Sequence, residues 1–285
     1  IIKIFETIDE KLLCKTGNYY CWALYYEYIS AETSEIDNVI KSAEIISKKM
    51  NHNEIIYNLA IIKAGEVLKN AGQLYDALNI IELMNADFID DKAVIINSSK
   101  GGVIELASKL EQYYSLKTEL LYKTARYKDC IEECGNALKK INKFHYNNDV
   151  WFIRRIALCS FKLGDLNSAE TNMKNALSRK REWFMLKELA EIKLAENKIN
   201  DALKSAVEAA IGLKDFEKKV GVYKLLSEIF DKLGEKKDSY EHSYLEYLIR
   251  KQMGWRIDSQ LENLVSSLKI TENNKSAYDV CKNFQ

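Results

Sequence analysis

The stretch Val150–Leu177, VWFIRRIALCSFKLGDLNSAETNMKNAL, decides how the rest of the chain is read. It holds two segments whose apolar residues recur every three or four positions, separated by a tight turn at Gly164. That period predicts an amphipathic helix on each side of the turn. Glycine at the end of the first helix supplies the left-handed backbone that stops it. Small residues fall where two antiparallel helices must touch: Ala157 before the turn, Ala169 and Ala176 after it, with Ile156, Leu166 and Met173 beside them.

Working outward, the same layout recurs when helix pairs are aligned on the turn and on the small residue five positions later. Gly72 is followed by Leu74, Ala77, Ile81 and Met84; Ala125 by Tyr127, Cys130, Cys134 and Ala137. Asn197 is followed by Ile199, Ala202, Ala206 and Ala209; Gly234 by Lys236, Ser239, Ser243 and Glu246. Eight residues before the five turns stand Ala64-Gly65, Lys117-Thr118, Ile156-Ala157, Leu189-Ala190 and Leu226-Ser227. The steps between equivalent small residues are 53, 39, 33 and 37, so the units carry longer helices or inserts. Each pair has two apolar faces and cannot bury both alone; stacking the next pair covers one.

This pattern resembles the tetratricopeptide repeat family, two antiparallel helices in about 34 residues. The resemblance covers roughly residues 55–250, with residues 18–50 as one more degenerate pair. The family's proline after the second helix is missing everywhere, and its tryptophan in the first helix is not reproduced. The expected fold is all-α: an α-solenoid, a right-handed superhelix of antiparallel helix pairs. The expected division is N-terminal helices at 1–53, a repeat array at 54–252, and a capping helix and tail at 253–285.

Composition agrees with helix. The chain has no proline and 11 glycines in 285 residues, against usual shares of roughly 5 % and 7 %. Lys+Arg and Asp+Glu both total 42, so the formal charge is zero, which disfavours a general nucleic-acid binder. No apolar run approaches the roughly 18 residues of a membrane helix, and no signal peptide is visible. The chain begins at Ile1 rather than Met, which leaves room for an upstream domain or targeting segment. Six cysteines without a Cys-x-x-Cys fit free thiols in a reducing cytoplasm. The Ile-, Lys- and Asn-rich usage fits an AT-rich bacterial genome.

Along the chain, a first helix is expected over 1–15, ended by Gly17-Asn18, and a second from Tyr19 to Ile29. Tyr20, Trp22, Tyr25, Tyr26 and Tyr28 make the second either multiply buried or an aromatic interface. A helix capped by Ser34 runs to Met50, followed by 54–70 and 74–84. Residues 85–102 read as a short helix or ordered loop. Lys100-Gly101-Gly102 lacks the spacing of a phosphate loop. Helices are then expected over 103–124, 127–141, 149–163, 166–179, 182–196, 199–212, 216–233, 236–252 and 256–269, with a polar tail from Thr271 to Gln285. The stripe Trp255, Ile257, Leu261, Leu264 and Leu268 reads as a cap on the last repeat; dimerisation is its alternative.

No catalytic pattern is present. His52, His145 and His242 stand far apart, and there is no His-Glu-x-x-His or Gly-x-Ser-x-Gly. Cys130 and Cys134, one helical turn apart, suit a soft metal by spacing but occupy small core positions of the repeat. We expect no enzyme activity, cofactor or metal.

The resemblance implies a protein or peptide ligand held on the concave face by first-helix residues. These map to Lys63 and Glu66, to Glu119 and Tyr122, to Trp151, Arg154, Arg155 and Lys162, to Phe184, Lys187 and Glu191, and to Lys224 and Glu228. Cations would take carboxylates and backbone, and Trp151 and Phe184 would supply apolar contact. A solvated helix face, with Trp151 packed on the preceding unit, is the alternative. Besides a non-enzymatic scaffold, the repeats fit the peptide-sensing domain of a bacterial transcription regulator or the accessory repeat region of a larger defence or signalling protein.

Overall fold

The computed structural model describes residues 10–32, 35–97, 102–212 and 215–267. Residues 1–9 of the expected first helix, the Ser34 cap, Lys100-Gly101, and Leu268 with the tail after it lie outside the described residues. The helices are α1 (Glu10–Leu24), α2 (Ile36–Lys49), α3 (Ile55–Asn70), α4 (Leu74–Ile81), α5 (Lys109–Lys123), α6 (Tyr127–Lys140) and α7 (Asp149–Lys162). They continue as α8 (Leu166–Arg179), α9 (Trp183–Ala195), α10 (Ile199–Gly212), α11 (Val220–Leu233), α12 (Lys236–Gln252) and α13 (Ser259–Ser267). Two compact units divide the chain, residues 1–159 and 160–285, with the division inside α7. Among the described residues no helix is long and apolar enough to cross a membrane.

Both units are built from antiparallel helix hairpins of the α-solenoid type, and the recurring bend is the clearest sign of it. Gly72, Ala125, Gly164, Asn197 and Gly234 all take positive φ, at 80°, 59°, 83°, 61° and 83°. After each, the next residue donates its N–H to the carbonyl five positions back: Gln73 to Leu68 at 2.9 Å, Arg126 to Leu121 at 2.9 Å, Asp165 to Ser160 at 3.0 Å, Lys198 to Lys193 at 2.9 Å and Glu235 to Phe230 at 3.0 Å. This closure satisfies the last carbonyls of the first helix and reverses the chain. Glycine takes the left-handed conformation without strain; Ala125 pays ~1–2 kcal/mol for its Cβ.

Five residues after each bend a small side chain is buried: Ala77, Cys130, Ala169, Ala202 and Ser239. A Cβ built at Gly65 of α3 would lie 2.8 Å from Ile81 Cγ1, so α3 meets this side chain where only a hydrogen fits. Cys130 Sγ donates to the Thr118 carbonyl at 3.2 Å. In the last hairpin the contact is polar: Ser227 Oγ lies 3.2 Å from Ser239 Oγ and 2.7 Å from Ser243 Oγ. Lys117 bridges α5 to α6, with Nζ 2.8 Å from Glu133 Oε1.

Three expectations are corrected. Gly17-Asn18 does not end a helix: α1 runs through it to Leu24 and continues as a π-helical turn over Tyr25–Ile29. Gly17 is buried beside the end of α2, and a Cβ there would make only an ordinary contact, 3.5 Å from Met50 Cε, so the position tolerates a helical residue with a side chain. Tyr20 is buried in this segment, while Tyr19 and Tyr26 are exposed.

The second correction is the start of the helix expected from Val103. Residues Val94–Asn97 and Val103–Leu106 form an antiparallel hairpin, with Val94 opposite Leu106 and Ile96 opposite Ile104. The β-branched runs favour extended backbone, and Ser108 Oγ then accepts the Glu111 N–H at 3.1 Å to start α5 at Lys109. His145 Nε2 lies 2.8 Å from the Glu105 carbonyl, and Lys143 pairs with Glu105 at 3.2 Å. This insert accounts for the 53-residue step. Third, 216–219 is a 3-10 turn, and α11 begins at Val220.

Candidate functional site

In the second unit, α9 and α11 are each the first helix of a hairpin. Residues four apart on a helix stand on one face, so Lys187 and Glu191 share a face of α9, and Lys224, Glu228 and Lys232 share a face of α11. These five side chains line one open groove of about 540 Å³. Phe161 at the end of α7, Leu194 and Ala195 of α9, and Gly221 and Leu225 of α11 complete its wall. Lys187 forms an ion pair with Glu191. Gly221 gives Lys187 its path, since a Cβ there would stand 3.2 Å from Lys187 Cε. Among the described residues Lys224, Glu228 and Lys232 have no ion-pair partner, which leaves two cations and one carboxylate open to a guest. In the same unit Glu170 of α8 is pulled down to about 2 by hydrogen bonds first from Lys174, then from Lys198.

The first unit has a smaller concavity of about 190 Å³, lined by Glu66 and Lys69 of α3, by Glu111, Gln112, Ser115 and Glu119 of α5, and by Asn148. Its charges are largely occupied by each other. Glu119 bonds Lys69 at 3.0 Å and Lys123 at 2.8 Å. Burial alone would raise the Glu119 pKa, but these two ammonium groups outweigh it and hold it below the usual range. Glu111, nearly fully buried, accepts the His145 N–H at 2.9 Å and the Asn148 amide at 2.7 Å.

The structure therefore gathers four of the residues mapped from sequence, Lys187, Glu191, Lys224 and Glu228, in one groove, and two, Glu66 and Glu119, in the other. The remainder line neither. Lys63 is half-buried on α3. Tyr122 packs against Tyr127, with ring centres 5.8 Å apart. Trp151 donates its indole N–H to Asn148 Oδ1 at 3.2 Å, and Arg154 is half-buried beside it. Arg155 turns inward: Nη1 donates to Thr118 Oγ1 at 2.5 Å. Phe184 meets Trp183 edge-on at 5.8 Å. Lys162 is exposed, and its neighbour Phe161 lines the groove in its place. Successive helical residues differ by about 100°, so a one-residue error in phase exchanges wall for solvent. The i+4 step from Glu228 to Lys232 was a readable signal for the fifth charged residue; Phe161, Leu194 and Leu225 carried none beyond ordinary core periodicity.

Cys130, Cys134 and Cys159 are fully buried free thiols. A hydrogen bond with Cys134 lowers the Cys130 pKa, but its contact with Cys159 and burial outweigh that and push it up to about 12. Among the described residues no group of three or more His, Cys, Asp or Glu side chains is placed to hold a metal ion.

No family model matches the sequence. No curated protein matches it. Solved structures do. Residues 41 to the end of MamA from Desulfovibrio magneticus RS-1 align at a TM-score of 0.53 and 10 % identity, over 68 % of this chain and 96 % of that one. YrrB, described as a TPR protein with an unusual peptide-binding site, aligns at 0.50 and 11 % identity, over 80 % of this chain and 97 % of that one. At such identities the likeness speaks for the fold alone, and the fold is that of tetratricopeptide repeats.

Proposed function

We propose that this tetratricopeptide-like chain is a protein-interaction scaffold whose second-unit groove holds an extended segment of a partner. The observation that carries the reading is the convergence, on one concave wall, of open charges at Lys224, Glu228 and Lys232 with the apolar surfaces of Phe161, Leu194 and Leu225. Apolar side chains of the guest bury area against those three, and each buried CH₂ contributes ~0.8 kcal/mol. The two open lysines favour a guest bearing carboxylates, while Glu228 takes a backbone N–H or a basic side chain. Gly221 keeps the floor of the groove clear.

The test uses 12-residue peptides selected from a displayed random library on the full chain. Gly221→Leu fills the groove and displaces Lys187, while leucine at a helical position favours the helix over glycine by ~0.8–1 kcal/mol. Selected peptides lose at least ten-fold in affinity for Gly221→Leu and for Lys224→Glu/Lys232→Glu, both with unchanged helical circular dichroism. Affinity unchanged from wild type in both variants overturns the groove.

A further inference from the structure

A second cavity lies wholly in the first unit and meets the charged concavity of α3 and α5 at Lys109, which bonds Gln112 of that concavity. It measures about 650 Å³ and sits where α3 and α5 begin, roofed by the loop at residues 87–92. That size is within the ~300–1,000 Å³ of small-molecule sites. Its apolar surface comes from Ile55 and Phe88, 77 % and 53 % exposed, and from the buried Ile89. His52 stacks on Phe88 at 5.8 Å and steadies it.

Six of the nine lining residues are polar, Asn53, Asn58, Asp87, Asp90, Lys92 and Lys109, and they are unequal in their partners. Asp87 is held by Lys140 at 2.5 Å, and Asp90 accepts the Lys92 N–H at 3.0 Å. Lys109 is half-buried, bonds only the neutral Gln112 at 3.0 Å, and has no carboxylate at ion-pair distance among the described residues. Burial pushes its pKa down, with Glu66 opposing, so its ammonium gains from an added anion. Two helices start at the cavity, at Ile55 and Lys109, and helix starts favour negative charge. Asn58 is only 7 % exposed, and its Oδ1 has no hydrogen-bond partner. An unsatisfied buried acceptor costs ~1–3 kcal/mol. Asn58 lines the cavity, where a guest N–H is the partner this oxygen lacks.

We propose that this cavity is a binding site for a ligand joining a free carboxylate, an amide N–H and an apolar side chain. The carboxylate meets Lys109, the N–H meets Asn58 Oδ1, and the side chain lies along Ile55, Phe88 and Ile89. An apolar N-acyl amino acid has this chemistry, and so does the carboxyl end of a peptide with an apolar last residue.

Calorimetric titration of the full chain with N-acetyl-L-leucine tests it. Saturable one-to-one binding is expected, weakened at least ten-fold for N-acetyl-L-leucinamide and at least ten-fold by Lys109→Gln. Asn58→Leu weakens it several-fold with helical content unchanged. Tighter binding of acetyl-Ala-Ala-Leu assigns the site to a chain end; weaker binding assigns it to the small acid. Absence of saturable binding by both free acids overturns the proposal, as does equal affinity for acid and amide, a comparison made on the wild-type chain and so independent of any variant's folding.

Discussion

The concave walls of the two units come from the same helix positions, yet they differ in what they leave unsatisfied. In the first unit, Lys69, Glu119 and Lys123 neutralise one another, and Glu111 is spent on His145 and Asn148. In the second, Lys187 and Glu191 pair, but the α11 ladder Lys224, Glu228 and Lys232 stays open above Phe161 and Leu225. Equivalent positions in a repeat are thus closed on one another in one place and left open in the other, and ion-pair closure makes the difference. A charge already paired gains little from a guest, because the guest must first displace the partner.

The comparison can be broken first at the shared repeat. Ala202 is fully buried at the small position of its hairpin, and Ala202→Arg adds volume costing ~1–3 kcal/mol and a buried charge costing more. Urea unfolding should show its midpoint far below wild type; an unchanged midpoint denies the close packing on which both walls depend. The difference between the walls is sharpened by a matched pair. Lys224→Glu should reduce peptide affinity at least ten-fold and leave stability within ~0.5 kcal/mol. Glu119→Gln should do the reverse, lowering stability by ~1 kcal/mol with peptide affinity unchanged. Identical profiles for the two variants would erase the distinction.

Acid titration probes the second unit. Glu170 sits at about 2 in the fold against 4.5 when unperturbed. A depressed carboxyl stabilises the fold above its unfolded pKa, and the gain fades as pH falls from about 4.5 towards 2. Glu170→Gln should therefore lower stability at pH 7 by ~1 kcal/mol, since its lysine partners are half-exposed, and match wild type near pH 2. A constant difference across that range would show the loss is not electrostatic. The smallest effect concerns the bends. Ala125→Gly relieves the left-handed strain of φ 59°, and after the entropy of glycine is subtracted should raise stability by ~0.5 kcal/mol, whereas Gly164→Ala should lower it by ~1 kcal/mol.

Much of the architecture was legible because bends and small residues are local signals. Gly72, Gly164 and Gly234 announced their conformation, and Ala125 and Asn197 followed from spacing alone. The hairpin at 94–106 was not legible, since Val94–Ile96 and Val103–Ile104 are too short to separate strand from helix by period. Gly17-Asn18 does not end its helix because burial against α2 outweighs glycine's modest cost inside a helix, a tertiary effect that the local sequence does not carry. The groove was half legible. Lys187, Glu191, Lys224 and Glu228 keep the helical phase of α9 and α11, but Arg155, nine residues before the bend at Gly164, is drawn inward by Thr118, a contact between residues 37 apart that no local pattern encodes.

The three serines where α11 meets α12 have a consequence of their own. The equivalent Ala190, Ala202 and Ala206 of the α9–α10 hairpin offer water nothing, whereas Ser227, Ser239 and Ser243 trade hydrogen bonds among themselves that solvent can match. That seam is held by exchangeable bonds rather than by greasy contact, so separating it forfeits the least. Local opening of the second unit should therefore begin there, unzipping from the carboxyl-terminal side while the alanine-lined pair α9–α10 stays shut.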